Sequence, residues 1–143
     1  MFLDVAVRGS PYVQRIEVLD DTGSSYVELF DDDCVVLGFD SFNPPSSITY
    51  RSAILSTANG DVVRTLIKVM VQFVAPDGTT NGQPVPAIAC LVPELQGNDR
   101  PKCFGSALRR TLFPATAPGD IGNGTLIVGT WKSNVINALP RIR

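Results

Sequence analysis

Val18-Leu19-Asp20-Asp21-Thr22-Gly23-Ser24-Ser25 is the stretch of this 143-residue chain whose residue types and spacing could do chemistry. An apolar run that ends in Asp-Thr-Gly sets the Asp21 carboxylate on a tight turn, and Gly23 lets the backbone fold close beneath it. A carboxylate so placed can serve as a general acid or base. The same three residues also make an ordinary turn capped by an aspartate side chain. Other chemistries are limited by composition, because the chain contains no histidine. That excludes Ser-His-Asp and Cys-His catalysis and zinc held by imidazole. Cys34, Cys90 and Cys103 are odd in number and lack CxxC spacing, so neither a four-thiolate metal site nor a disulfide framework is expected. No metal and no cofactor is called for. Three reduced thiols point to an intracellular protein.

The elements that position this loop are expected to be short strands. Hydrophobic residues make up 44% and charged residues 18%, the balance of a chain that folds around one core. Twelve glycines and eleven prolines punctuate it into strands and turns rather than long helices. Alternation predicts strands over Asp4–Arg8, Val13–Leu19 and Tyr26–Phe30, with Ile16 and Val18 on one face and Arg15 and Glu17 on the other. Asp31, Asp32 and Asp33 then precede a short helix over Cys34–Gly38, where they complement its positive end. A calcium loop is the weaker reading, since the alternating ligand spacing is missing. Ile54–Thr57 and Val62–Val74 flank Ala58-Asn59-Gly60-Asp61, and Asn-Gly between β-prone runs signals a hairpin. Val85–Val92 supplies another strand. Prolines at 93, 101, 114 and 118 mark residues 93–119 as an insertion, with two helical turns over Ser106–Phe113. Thr125–Gly129 reads as a buried strand, and Trp131–Leu139 as a helix stopped by Pro140, with Trp131 as a core anchor. The expectation is one mainly-β domain, 1–143, with two or three short helices.

Asp21-Thr22-Gly23-Ser24-Ser25 after an apolar run resembles the active-site loop of aspartic proteases. About a hundred residues later, Leu126-Ile127-Val128-Gly129 resembles that family's paired-hydrophobics-then-glycine strand, which supports the catalytic loop and runs into a short helix. Between them the hairpin tipped Ser56-Thr57-Ala58-Asn59-Gly60 looks like a substrate-covering flap. This order is similar to that of the retropepsins, the single-lobe retroviral type. The resemblance implies a closed β-barrel with a flap hairpin, in which Asp21, Thr22 and Gly23 form the catalytic loop and Ile127, Val128 and Gly129 support it. Ser25, Thr57, Ala58, Asn59 and Gly60 would meet substrate. Two departures stand out. Asp20 replaces an apolar residue before the catalytic aspartate, and the flap tip carries one glycine.

Aspartic proteolysis needs two carboxylates that share one proton. The chain supplies one, since the nearest second candidate, Asp120-Ile121-Gly122, lacks the hydroxyl. The resemblance therefore implies a C2 homodimer with Asp21 from each subunit on the axis and Thr22 bracing the partner loop. It also implies that Phe2–Val7 and the segment after Pro140 interleave at the interface. The expected activity is aspartic endopeptidase cleavage of an extended peptide or protein substrate. The alternatives are a retropepsin-like domain that binds peptides or dimerises without cutting, and a structural β-domain with Asp21 as turn chemistry. A formal net charge of −2 with scattered basic residues argues against nucleic acid. No apolar run reaches membrane-spanning length, and Asp4, Arg8 and Gly9 interrupt any leader-like start.

Overall fold

The computed structural model describes residues 1–20, 23–75, 77–93, 102–106, 113–117, 126–129 and 131–139. The chain divides into two compact units, Met1–Ala107 and Leu108–Arg143. The first holds strands β1 (Phe2–Ala6), β2 (Val13–Asp20), β3 (Val27–Phe30), β4 (Thr49–Thr57), β5 (Gly60–Val74), β6 (Thr80–Val92) and β7 (Lys102–Phe104), with helix α1 (Asp31–Val36) between β3 and β4. The second holds β8 (Phe113–Thr116), β9 (Leu126–Gly129) and helix α2 (Lys132–Ala138).

Seven strands of the first unit form one mixed sheet in the order β3-β6-β5-β1-β2-β7, with β4 paired to β5 beside β1. Antiparallel ladders join β1 to β2 and to β5, and β5 to β4 and β6. Parallel ladders join β3 to β6 and β2 to β7. The sheet curls until its end strands β3 and β7 meet at a seam without a ladder. The result is a mainly-β, nearly closed barrel, consistent in general shape with the retropepsin-like expectation.

Alternation places the core. Leu3 and Val5 on β1, Ile16 and Val18 on β2, and Leu66, Ile67, Val69 and Val71 on β5 are buried. Phe104, the largest fully buried side chain among the described residues, meets Phe73 edge-on with ring centroids 6.1 Å apart. β1 is paired on both edges within its own chain. Phe2–Ala6 thus serves its own sheet and offers no strand edge for interleaving with a partner.

Several elements differ from the sequence expectation. β4 starts at Thr49 and β6 at Thr80, each about five residues earlier than the apolar pattern suggests. Pairing with the long β5 recruits these polar and proline-bearing stretches through irregular register near Arg51 and Phe73. β3 runs parallel to β6, a partner that the local pattern does not name. Within residues 93–119, read as an excursion, Lys102–Phe104 joins the main sheet. The helical turns expected over Ser106–Phe113 fall almost wholly outside the described residues.

The second unit pairs β8 with β9 antiparallel, Phe113 opposite Gly129 and Thr116 opposite Leu126. Val135 is the buried residue of α2, and a Cβ on Gly129 would lie 3.0 Å from its Cγ2. Trp131, expected as a core anchor, is 71% exposed. It precedes the helix as its N-cap, with an extended backbone. Among the described residues no helix is long and apolar enough to cross a membrane.

Candidate functional site

Asp21 and Thr22, the centre of the expected site, lie outside the described residues, but both sides of the loop they belong to are fixed. On one side is β2, whose last residue is Asp20. On the other, Gly23 leads into Ser24, whose Oγ donates to the Tyr26 carbonyl at 2.9 Å. This local bond shapes the turn that delivers the chain to β3.

β7 runs beside the strand that leads into this loop. Val18, Leu19 and Asp20 pair in parallel with Lys102, Cys103 and Phe104. The next residue is Gly105, and a Cβ built there would stand 2.0 Å from the Ser24 carbonyl oxygen. No side chain fits in that gap, so glycine is required by close approach of two backbones. The Ser106 N–H then donates to the same Ser24 oxygen at 2.9 Å. Cys103-Phe104-Gly105 therefore repeats the two-residues-then-glycine pattern and stands against the loop's flank. Ile127, Val128 and Gly129, which sequence reasoning assigned to this support, pair with β8 in the second unit. Sequence reasoning did not single out Gly105, because its signal, a glycine after Cys103-Phe104, gains meaning only from the parallel pairing of that strand with β2.

The hairpin that the sequence suggests as a flap is β4–β5. Thr57 pairs with Gly60 around a two-residue turn of Ala58 and Asn59. Thr57 Oγ1 accepts the Asn59 N–H at 3.2 Å and donates to the Gly60 carbonyl at 2.7 Å. Ser56 Oγ donates to Asp61 across the strands at 2.7 Å. Gly60 has φ of +108°, a conformation that side chains disfavour. Ala53 and Leu55 pack downward on the cluster of Phe30, Leu66, Cys90 and Val92, which ties the hairpin's base to the barrel.

Loop and flap enclose a cleft of about 790 Å³. Gly23, Ser25 and Tyr26 line it from the loop, and Thr57 and Ala58 from the flap. Of the expected site residues, the structure thus brings together Gly23, Ser25, Thr57 and Ala58. Asn59 and Gly60 sit at the hairpin tip and do not line the cleft.

The cleft floor carries Glu28, Cys90 and Cys103. Glu28 faces Cys90 in the β3–β6 register, and its Oε2 accepts the Cys103 N–H at 3.3 Å across the seam. Burial, with the Glu28 charge adding to it and Arg64 opposing, pushes the Cys90 thiol up to about 11. Cys34, on the buried side of α1, is pushed up to about 12 by burial and then by Asp33, Asp31 and Asp40. Both therefore stay protonated at neutral pH and are poor nucleophiles. All three cysteines are described, and none forms a disulfide with another. Among the described residues no cluster of three His, Cys, Asp or Glu side chains is arranged to hold a metal ion.

Neither a family model nor a curated protein matches this chain. The reading of the site therefore rests on its own geometry.

Proposed function

We propose that the chain is an aspartic endopeptidase that works as a homodimer, with one Asp21 from each subunit at a shared site. The observation that carries this reading is the cleft: the flank of the Asp-Thr-Gly loop and the inner side of the hairpin open onto one peptide-sized space. An extended peptide would lie there and pair by backbone hydrogen bonds, in the manner of strand addition. Ser25, Tyr26, Thr57 and Ala58 would contact it.

In the proposed reaction the ionised Asp21 takes a proton from a bound water while the water oxygen bonds to the scissile carbonyl carbon. The partner subunit's Asp21, protonated, gives its proton to the carbonyl oxygen, and a neutral gem-diol results. The amide nitrogen then takes a proton from the first Asp21. The C–N bond breaks as the gem-diol returns a proton to the partner subunit's Asp21, and acid and amine leave. Two close carboxylates cannot both ionise, so they hold the single proton this cycle needs. The rate should be bell-shaped in pH, because both the fully ionised and the fully protonated pair are inactive.

The test is cleavage of a mixed peptide library by the wild type and by Asp21→Asn, read by mass spectrometry. The reading expects discrete cuts by the wild type, inhibition by a pepstatin-type mimic, and none by the variant. Peptides that are bound but left uncut would contradict it and favour a binding domain.

A further inference from the structure

Asp33 lies far in sequence from β7 yet is bound to it. Its side chain is fully buried and accepts three hydrogen bonds: Lys102 Nζ at 2.8 Å, Gln14 Nε2 at 3.1 Å and the Phe30 N–H at 2.9 Å. Lys102 is itself largely buried and stands 5.3 Å over the Phe30 ring. One carboxylate thus joins α1, β2, the end of β3 and the first residue of β7. The sequence suggested that Asp31, Asp32 and Asp33 only complement a helix end. The bond to Phe30 N–H is that role, and the other two are not.

β7 needs such an anchor. It is three residues long, its ladder lies on the β2 side, and no ladder closes the seam on the β3 side. Burial of Phe104 prevents a one-residue slip, which would turn that ring outward. A slide of about an ångström along the strand is opposed by this one packed ring and a three-residue ladder, and neither is held by a charge. The Lys102–Asp33 pair resists it further, because a charged hydrogen bond is directional and the Asp33 end is held by two further donors. The position it fixes matters three residues on from Lys102, at Gly105, where the backbone leaving β7 meets Ser24 with no room to spare.

We propose that Asp33 and Lys102 are positioning residues for the Asp21 loop, setting where β7 lies along β2 and thereby where Gly105 and Ser106 hold Ser24. The kinetic part of this inference rests on the protease reading, whereas the structural part does not. Removing one partner of a buried pair leaves the other charge uncompensated, so Lys102→Met alone is expected to lower the melting temperature. Replacing both, Asp33→Asn with Lys102→Met, removes the charges together while leaving an oxygen to accept the Phe30 N–H, and is expected to keep the protein folded.

Three measurements on the full chain test the proposal: the melting temperature, amide exchange of Ser106, and kcat and KM on a cleaved peptide. In the double variant Ser106 should exchange about tenfold faster, since its bond to Ser24 opens more often. Its kcat should fall about tenfold or more with KM within about twofold, as misplacement by an ångström harms the chemical step rather than binding. Lys102→Arg, which keeps the charge and donors, should restore both values to within about threefold of the wild type. A folded double variant with wild-type kcat and Ser106 protection overturns the proposal. A double variant that does not fold also overturns it, assigning the pair to stability alone. If the wild type cuts no peptide the protease reading fails, and Ser106 exchange decides the positioning role by itself.

Discussion

Gly105 is a residue whose replacement has a foreseeable consequence. A methyl group there would need the Ser24 carbonyl, 2.0 Å away, to move, and that atom belongs to backbone already bonded to Ser106. Gly105→Ala should destabilise the protein by about 1–3 kcal/mol, the range of a forced overpacking. Urea unfolding checks this, and Gly9→Ala is a control in which only backbone strain acts, because nothing lies within 4 Å of that site. The thiols give a second prediction. The native Cys34 and Cys90 thiols are held at about 12 and about 11, against 9.0 for an unperturbed thiol. Above pH 9 the unfolded chain loses these protons while the native chain keeps them, so stability falls as pH rises through the native values and is fully present below 9. Chemical denaturation from pH 7 to 10.5 should show that decline, and Cys34→Ala should flatten it.

Legibility from sequence differs between elements. The strand before Asp21, the hairpin and the long β5 are readable because alternation over many residues leaves one face to bury, as Ile16 and Val18 show. β7 is not readable. Three residues carry no periodicity, and what makes Lys102–Phe104 a strand is a partner more than eighty residues earlier in the chain. The role of Asp33 is hidden for the same reason: an aspartate in the first helical turn already has a local explanation. The β4–β5 hairpin shows the opposite case, in which a local signal suffices. Its tip depends on Gly60, whose φ of +108° strains any side chain although nothing lies within 4 Å. Gly60→Ala should cost about 1 kcal/mol and loosen the hairpin rather than the barrel. Amide exchange should quicken at Thr57–Asp61 and remain unchanged at Val69–Phe73. On the protease reading, KM for peptides should rise with it. The same hairpin exposes Ile54 and Val63, directly opposite each other and 70% and 67% accessible, and Ile54 also lines the cleft.

At the scale of the whole molecule, the first unit is a nearly closed barrel whose open seam is bridged by side chains, Glu28 to the Cys103 N–H and Asp33 to Lys102. The general shape was legible because strand pattern and turn residues agree, whereas the seam depends on bonds between residues 69 and 75 positions apart. The chain's single Asp-Thr-Gly triplet makes the proposed activity a property of two chains, not one. The most direct test is to mix wild-type and Asp21→Asn chains at constant total concentration, allow exchange, and measure peptide cleavage. If each site takes one Asp21 from either subunit, activity follows the square of the wild-type fraction, about a quarter at an equal mixture. Activity that falls in simple proportion, to about half, would contradict the shared site, because each chain would then be working alone.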